Sequence, residues 1–155
     1  MRYLSFYVDG ERFAVDVTLV AKVARNLAIT PVPTAPPAVV GIANLKGRVI
    51  TILSLASLVG YPQGKEPSAP GAESFHIIIL KPFAGSEDQM GLLVDKPGAL
   101  VDISEECILP KPLAAGEAER DPVSGIAEIN GALFRIVGME PILGRFRGGD
   151  EDTVS

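Results

Sequence analysis

Few side chains in this sequence have a type and spacing suited to chemistry. His76 is the only histidine and Cys107 the only cysteine among 155 residues. A thiol beside an imidazole is the minimum for cysteine nucleophilic catalysis, so a small hydrolase built on Cys107 and His76 is the enzyme reading to weigh. His76 lies inside the apolar run Phe75-His76-Ile77-Ile78-Ile79, where an imidazole usually serves structure. Cys107 follows Glu105 and Glu106, the opposite of the electropositive setting that activates a thiolate. No third residue has the setting of a triad member, and the hydrolase reading is disfavoured.

Metal and phosphate chemistry fare no better. One Cys and one His cannot make a zinc site of the usual spacing. Asp95, Asp102, Glu105 and Glu106 fall at strand ends without a Gly-rich calcium loop, and read as a solvated face. Gly41 to Gly47 lacks the Gly-Lys-Ser/Thr ending of a phosphate-cradling loop. The expectation is a protein with no catalytic residue, no metal and no cofactor. What remains is a surface: Lys46 and Arg48 flank Gly47 within Asn44-Leu45-Lys46-Gly47-Arg48, beside apolar neighbours. A solvated hairpin tip and a binding site are both open readings of that cluster.

The elements that must present this tip are strands. Val39 to Leu58 reads as strand, tight turn, strand and short helix: Gly41 to Leu45, then Arg48 to Leu53, then Leu55 to Val59 capped by Ser54 and ended by Gly60. Upstream, Leu4, Phe6 and Val8 alternate with Tyr3, Ser5 and Tyr7, the period of a half-buried strand. Asp9-Gly10 suits the two-residue hairpin turn leading to Phe13, Val15 and Val17. Thr18 is placed to cap a short helix over Leu19 to Ala24, with Asn26 ending it. Leu27 to Val32 is extended, its prolines marking an edge, and Pro36-Pro37 starts one helical turn through Val39.

Residues 62–74 lack apolar periodicity and read as a flexible link. Strands resume at Phe75 to Leu80, Gln89 to Val94 and Leu100 to Ile103, with a loop over Pro82 to Asp88. Ser104-Glu105-Glu106 reads as a capped turn, and Lys111 to Asp121 as loop. Asn130-Gly131 marks a hairpin within Ile126 to Phe134. Met139 to Leu143 is a last short helix, followed by a frayed end. Short strands separated by turn signals make this an all-β, mainly antiparallel chain of two small barrels.

The predicted layout is a single domain over 1–146. Its first barrel spans about 10–61 and its second about 75–143, the N-terminal strand is compatible with either, and 147–155 is an acidic disordered tail. The formal net charge of −5 argues against nucleic-acid binding, including an oligonucleotide-binding barrel. No apolar run approaches the roughly 18–20 residues that span a bilayer. One cysteine precludes an internal disulfide. Met1-Arg2-Tyr3-Leu4 passes at once into an alternating pattern unlike a signal peptide, so a cytoplasmic location is expected.

The run Gly41-Ile42-Ala43-Asn44-Leu45-Lys46-Gly47-Arg48-Val49-Ile50-Thr51-Ile52-Leu53-Ser54-Leu55 resembles the CheW-like domain, whose usual pattern is G-V-x-N-L-R-G followed by V-x-P-V-I-D-L. Phe6 to Val15 resembles that family's opening strands, and Pro31-Val32-Pro33 the segment before its short helix. Gly91-Leu92-Leu93-Val94-Asp95 is similar to its G-L-x-V-D strand, and Ile126 to Val137 to its closing hairpin. The likeness covers roughly residues 2–143 in the right order, far more than one short motif.

The resemblance implies two SH3-like five-stranded β-barrels packed together, and a non-enzymatic adaptor that couples chemoreceptor cytoplasmic helical hairpins to the regulatory domain of a CheA-type histidine kinase. It implies Val39, Val40, Gly41, Asn44, Leu45, Lys46, Gly47 and Arg48 as protein-binding residues. A related scaffold in a pilus-motility or regulatory pathway is the alternative within the family. The sequence departs from the pattern at Lys46 for Arg, Thr51 for Pro, Ser54 for Asp, and Met139-Glu140 for Leu-Asp. Lys46 lacks the planar fork that pairs bidentately with a carboxylate.

Overall fold

The computed structural model describes residues 1–36, 38–60, 75–82, 89–110 and 122–138. The expected links, loops, last helix and tail at 62–74, 83–88, 111–121 and 139–155 lie outside the described residues. Among the described residues, eleven strands and one short α-helix run in the order β1 (Arg2–Val8), β2 (Glu11–Asp16), β3 (Val20–Arg25), β4 (Val39–Leu45), β5 (Arg48–Ser54), α1 (Leu55–Leu58), β6 (His76–Leu80), β7 (Gln89–Val94), β8 (Lys96–Asp102), β9 (Ile108–Pro110), β10 (Val123–Ile129) and β11 (Ala132–Val137).

They form two sheets. One has six strands in the order β8-β1-β2-β11-β10-β9, and the other five in the order β3-β6-β7-β5-β4. The all-β class is as expected, but one sheet has six strands where five were expected. Nor do the sheets follow the chain halves on either side of 62–74. β6 and β7 sit with β3, β4 and β5, through a parallel pairing of β5 with β7. β1 and β2 sit with β8 to β11, through a parallel pairing of β2 with β11.

Two-residue turns set the hairpins. Asp9-Gly10 joins β1 to β2 and Asn130-Gly131 joins β10 to β11, each residue at positive φ. Asp, Asn and Gly tolerate that region, and its twist matches the flanking strands. β1 is not half-buried as its alternation suggested. Leu4, Phe6 and Val8 face one apolar cluster and Tyr3 another, because β1 is interior to its sheet with both faces covered.

Burial explains how the sheets are held together. Phe6, Val8, Phe13 and Val15 from the larger sheet meet Leu53, Ile78, Leu80, Leu92 and Val94 from the smaller, joined by Leu55 and Leu58 of α1. Phe6 and Phe13 stack with ring centroids 5.8 Å apart and planes 12° apart. The larger sheet curls around Tyr3, Ala14, Ile103, Ala127, Phe134 and Ile136. The smaller curls around Ala43, Ile50, Ile52, Ile77 and Ile79. β6 thus serves two interiors, which is why its Ile77 to Leu80 run is apolar at every position. Each such side chain stabilises by about 1.5–3 kcal/mol when fully buried.

Two local readings are corrected. The segment expected to be a helix at Leu19 to Ala24 is strand β3, preceded by a 3-10 turn at Val17–Leu19. Asp16, not Thr18, caps that turn: its Oδ1 accepts from the Thr18 N–H at 3.0 Å and from the Thr18 hydroxyl at 2.9 Å. Asn26 does terminate an element, at φ 51°, but the element is a strand. At Pro36 the chain makes a single turn, the Val39 N–H donating to the Pro36 carbonyl at 2.9 Å, and β4 begins there.

Candidate functional site

β4 is an edge strand of the five-stranded sheet, and the β4–β5 hairpin carries the residues singled out above. Leu45 pairs with Arg48, leaving Lys46 (φ 53°) and Gly47 (φ 81°) as the two turn residues. An L-residue in this left-handed region costs roughly 1–2 kcal/mol, less for Asn or Asp. The other two hairpins use Asp and Asn at the equivalent position, and this one uses Lys. The Asn44 Oδ1 steadies the turn by accepting the Gly47 N–H at 3.0 Å. Lys46→Asn is therefore expected to raise stability by up to about 1 kcal/mol, read as a higher denaturant midpoint. An unchanged or lower midpoint would show that the lysine is not strained.

The two cations differ in freedom. The Arg48 Nη1 donates to the Gln89 Oε1 at 3.4 Å. Gln89 is buried, and its Nε2 donates to the Leu80 carbonyl at 2.9 Å. Arg48 is thus tied back to β7, whereas Lys46 is exposed and has no ion pair among the described residues.

Strand alternation sorts the remaining candidates. The pair Ala43–Ile50 faces the sheet's interior, with Val40 and Leu45 packed against the same cluster. Gly41 is buried, and a Cβ there would run into the Thr30 carbonyl and Ile29. It shapes the edge rather than presenting a contact. The pairs Asn44–Val49 and Ile42–Thr51 lie on the opposite face, which continues through Leu53 into the core between the sheets; Asn44 and Val49 are exposed there, and Ile42 and Thr51 half-buried. Val49 is 57% exposed. The expected set of eight residues runs along the chain and does not include Ile42, Val49 and Thr51, which share this face with Asn44. Period two is the sequence signal that groups these residues on one face.

The other chemical candidates are scattered. His76 on β6 places Nδ1 3.2 Å from the Asp95 carbonyl, and Cys107 lies beside the other sheet, its Sγ accepting from the Ser104 hydroxyl at 3.2 Å. The Asp95 carboxylate accepts the Asp9 N–H at 2.8 Å, and Asp102 pairs with Arg2 at 3.7 Å. Among the described residues no three His, Cys, Asp or Glu side chains are grouped to hold a metal. Ser54 caps α1 as expected, its Oγ accepting the Ser57 N–H at 3.2 Å. Tyr3, in the other sheet, titrates above its ordinary range because it is buried and, secondarily, because of the Asp16 and Glu105 carboxylates. The site is therefore an exposed, cation-tipped hairpin at a sheet edge, suited to contacting another macromolecule.

Known proteins resemble this chain over most of its length. The CheW-like domain matches residues 2–147. A chemotaxis protein CheW of Rhizobium meliloti is 28% identical over 139 residues, covering 90% of this chain and 84% of that protein. The Thermotoga maritima chemotaxis protein CheW is 30% identical over 102 residues, 66% of this chain and 62% of that protein. The crystal structure of the scaffolding protein TtCheW from Thermoanaerobacter tengcongensis superposes with a TM-score of 0.72 at 26% identity, covering 88% of each chain. With the family match spanning nearly the whole length, and a shared two-part β fold, this chain belongs to the CheW-like domain family.

Proposed function

We propose that this chain is a non-enzymatic coupling scaffold, joining the cytoplasmic helical hairpins of chemoreceptors to the regulatory domain of a CheA-type histidine kinase. The observation that carries the reading is the family match over residues 2–147, with the hairpin motif held at an exposed sheet edge. The proposed contacts are Val39, Val40, Asn44, Leu45, Lys46 and Arg48, with Gly41 and Gly47 shaping the strand and turn that present them. An edge hairpin of this kind supplies a modest, reversible interface, as signalling assembly requires. The place of action is the cytoplasm, at receptor arrays; among the described residues no helix is long and apolar enough to cross a membrane.

The test is titration of the purified chain with the kinase regulatory domain and with a receptor cytoplasmic fragment from the same organism. Binding at or below the order of tens of micromolar supports the reading, and its absence for both partners argues against it. Lys46→Glu is expected to weaken binding to at least one partner on the order of tenfold, with thermal unfolding unchanged because the side chain is exposed. Unchanged affinity in the folded variant would leave the turn as a hairpin tip only. The departures at Lys46, Thr51 and Ser54 support specialisation for particular partners in chemotaxis or a related pathway.

A further inference from the structure

Ser5 and Gln89 are the buried polar side chains among the described residues. The Ser5 hydroxyl donates to the Ala99 carbonyl at 2.6 Å, within its own sheet. Gln89 reaches across strands instead. It opens β7 opposite Ile50 of β5. Its Nε2 donates to the Leu80 carbonyl at the end of β6 at 2.9 Å, and its Oε1 accepts from Arg48 Nη1 at the start of β5 at 3.4 Å. Because β6 and β5 flank β7 on its two sides, one amide links all three strands. Only one orientation of that amide serves both contacts. Turned over, it would set its oxygen against a carbonyl and its NH2 against a guanidinium. Burying an amide costs free energy unless its ends are bonded, and an apolar side chain would carry no such cost. What Gln89 supplies in return is a fixed position for Arg48.

The hold on Arg48 is light. At 3.4 Å it is longer than the roughly 2.7–3.2 Å usual for an N–H···O hydrogen bond. Its acceptor is neutral, so the guanidinium keeps its full charge. Arg48 is exposed and makes no ion pair among the described residues. Strands β3 to β7 carry no Asp or Glu. Asp95 follows β7 at the end away from Gln89, and its carboxylate accepts the Asp9 N–H at 2.8 Å. Glu87 and Asp88 precede Gln89 in the sequence and lie outside the described residues. Of the hairpin's two cations, Lys46 offers a point charge, whereas Arg48 offers a planar fork that pairs two N–H groups with one carboxylate.

We propose that Gln89 is a positioning residue: it presents the Arg48 fork at the base of the hairpin, through a neutral contact weak enough to leave the guanidinium for a carboxylate of the docking partner. The proposal rests on the scaffold reading and names the chemistry of one contact within it. Holding a long side chain in place beforehand reduces the conformational entropy lost on binding, and a neutral acceptor does so without competing for the charge.

Gln89→Glu keeps nearly the same shape but makes the hold charge-assisted, roughly twice as strong as a neutral one. Arg48 is then drawn inward and its charge is cancelled. Wild type and variants are titrated with the receptor fragment and the kinase regulatory domain, with thermal unfolding as the folding control. For at least one partner, Gln89→Glu is expected to bind on the order of tenfold more weakly. Arg48→Lys, which keeps the charge and loses the fork, is expected to weaken the same partner by about fivefold. In an Arg48→Ala background, Gln89→Glu is expected to change that affinity by less than about twofold, because the two residues act as a unit. Should Gln89→Glu fail to fold, Gln89→Met releases Arg48 instead, with a loss of about threefold expected that again vanishes in the Arg48→Ala background.

An equal loss with and without the Arg48 side chain, or no loss in either, overturns the proposal and leaves the scaffold reading standing. The series is repeated with Glu87→Gln and Asp88→Asn in place, and the same pattern is expected. Its disappearance there would assign Arg48 to those carboxylates and overturn the proposal as well. Failure of the wild type to bind either partner removes both the proposal and the scaffold reading.

Discussion

Phe13→Ala is expected to destabilise the chain by about 3–5 kcal/mol, read as a large drop in the denaturant midpoint. Phe13 has no exposed surface and stacks on Phe6 in the cluster that joins the two sheets. The Arg135 guanidinium lies 5.8 Å from its ring centroid and pairs with Glu11 at 3.2 Å. Truncation removes the ring's burial and leaves a cavity whose walls come from both sheets, so neither can collapse into it alone. Net stabilities of natural domains are about 5–15 kcal/mol, so the variant should be largely unfolded at modest denaturant. A loss below about 1 kcal/mol would mean that the sheets are held by something other than this shared core.

Gly41→Val is expected to cost about 1–3 kcal/mol and, more tellingly, to abolish partner binding. A Cβ at Gly41 would occupy the space of the Thr30 carbonyl, and Ile29 Cγ2 would lie 2.8 Å away. The neighbour that must give way is mainly backbone, so relief requires the returning segment to leave β4. The Thr30 and Ile42 amides should lose their protection from hydrogen exchange, and the open groove lined by Leu27, Ile29, Val40 and Phe75 should widen. Retained protection at Thr30 and Ile42 would show that the edge accommodates the side chain without parting.

The parts of this fold legible in the sequence are those set by neighbours in the chain. Asp9-Gly10 and Asn130-Gly131 announced their hairpins because positive φ restricts which residues fit. Ser54 announced the start of α1 for a similarly local reason. β3 was misread as a helix because its pairing with β6 shifts register between Val20 and Lys22. That irregularity breaks the two-residue period, and Val20, Val23 and Ala24 are left at a spacing that also fits a helix. The placing of β2 with the later strands, and of β6 and β7 with the earlier ones, was not legible. It depends on the parallel pairings β2–β11 and β5–β7, which join residues far apart in sequence.

The candidate site was legible to a similar extent. The hairpin and its two cations were evident from the run Asn44 to Arg48, and the structure holds them at an exposed edge. The difference between a tethered Arg48 and a Lys46 with no ion pair among the described residues was not, because it depends on Gln89, which a parallel strand brings beside β5. The groove was hidden for the same reason. Its walls come from 26–31, Val40 and Phe75, and only the Asn26 and Thr30 hydrogen bonds bring them together.

The central claim is that one chain couples two partners, and sedimentation velocity on a three-component mixture tests it most directly. The kinase regulatory domain and a receptor cytoplasmic fragment are run together, with and without this chain. The account predicts a species containing all three, formed only when the chain is present and diminished by Lys46→Glu. Binary complexes that compete for the chain, or no complex at all, would contradict it.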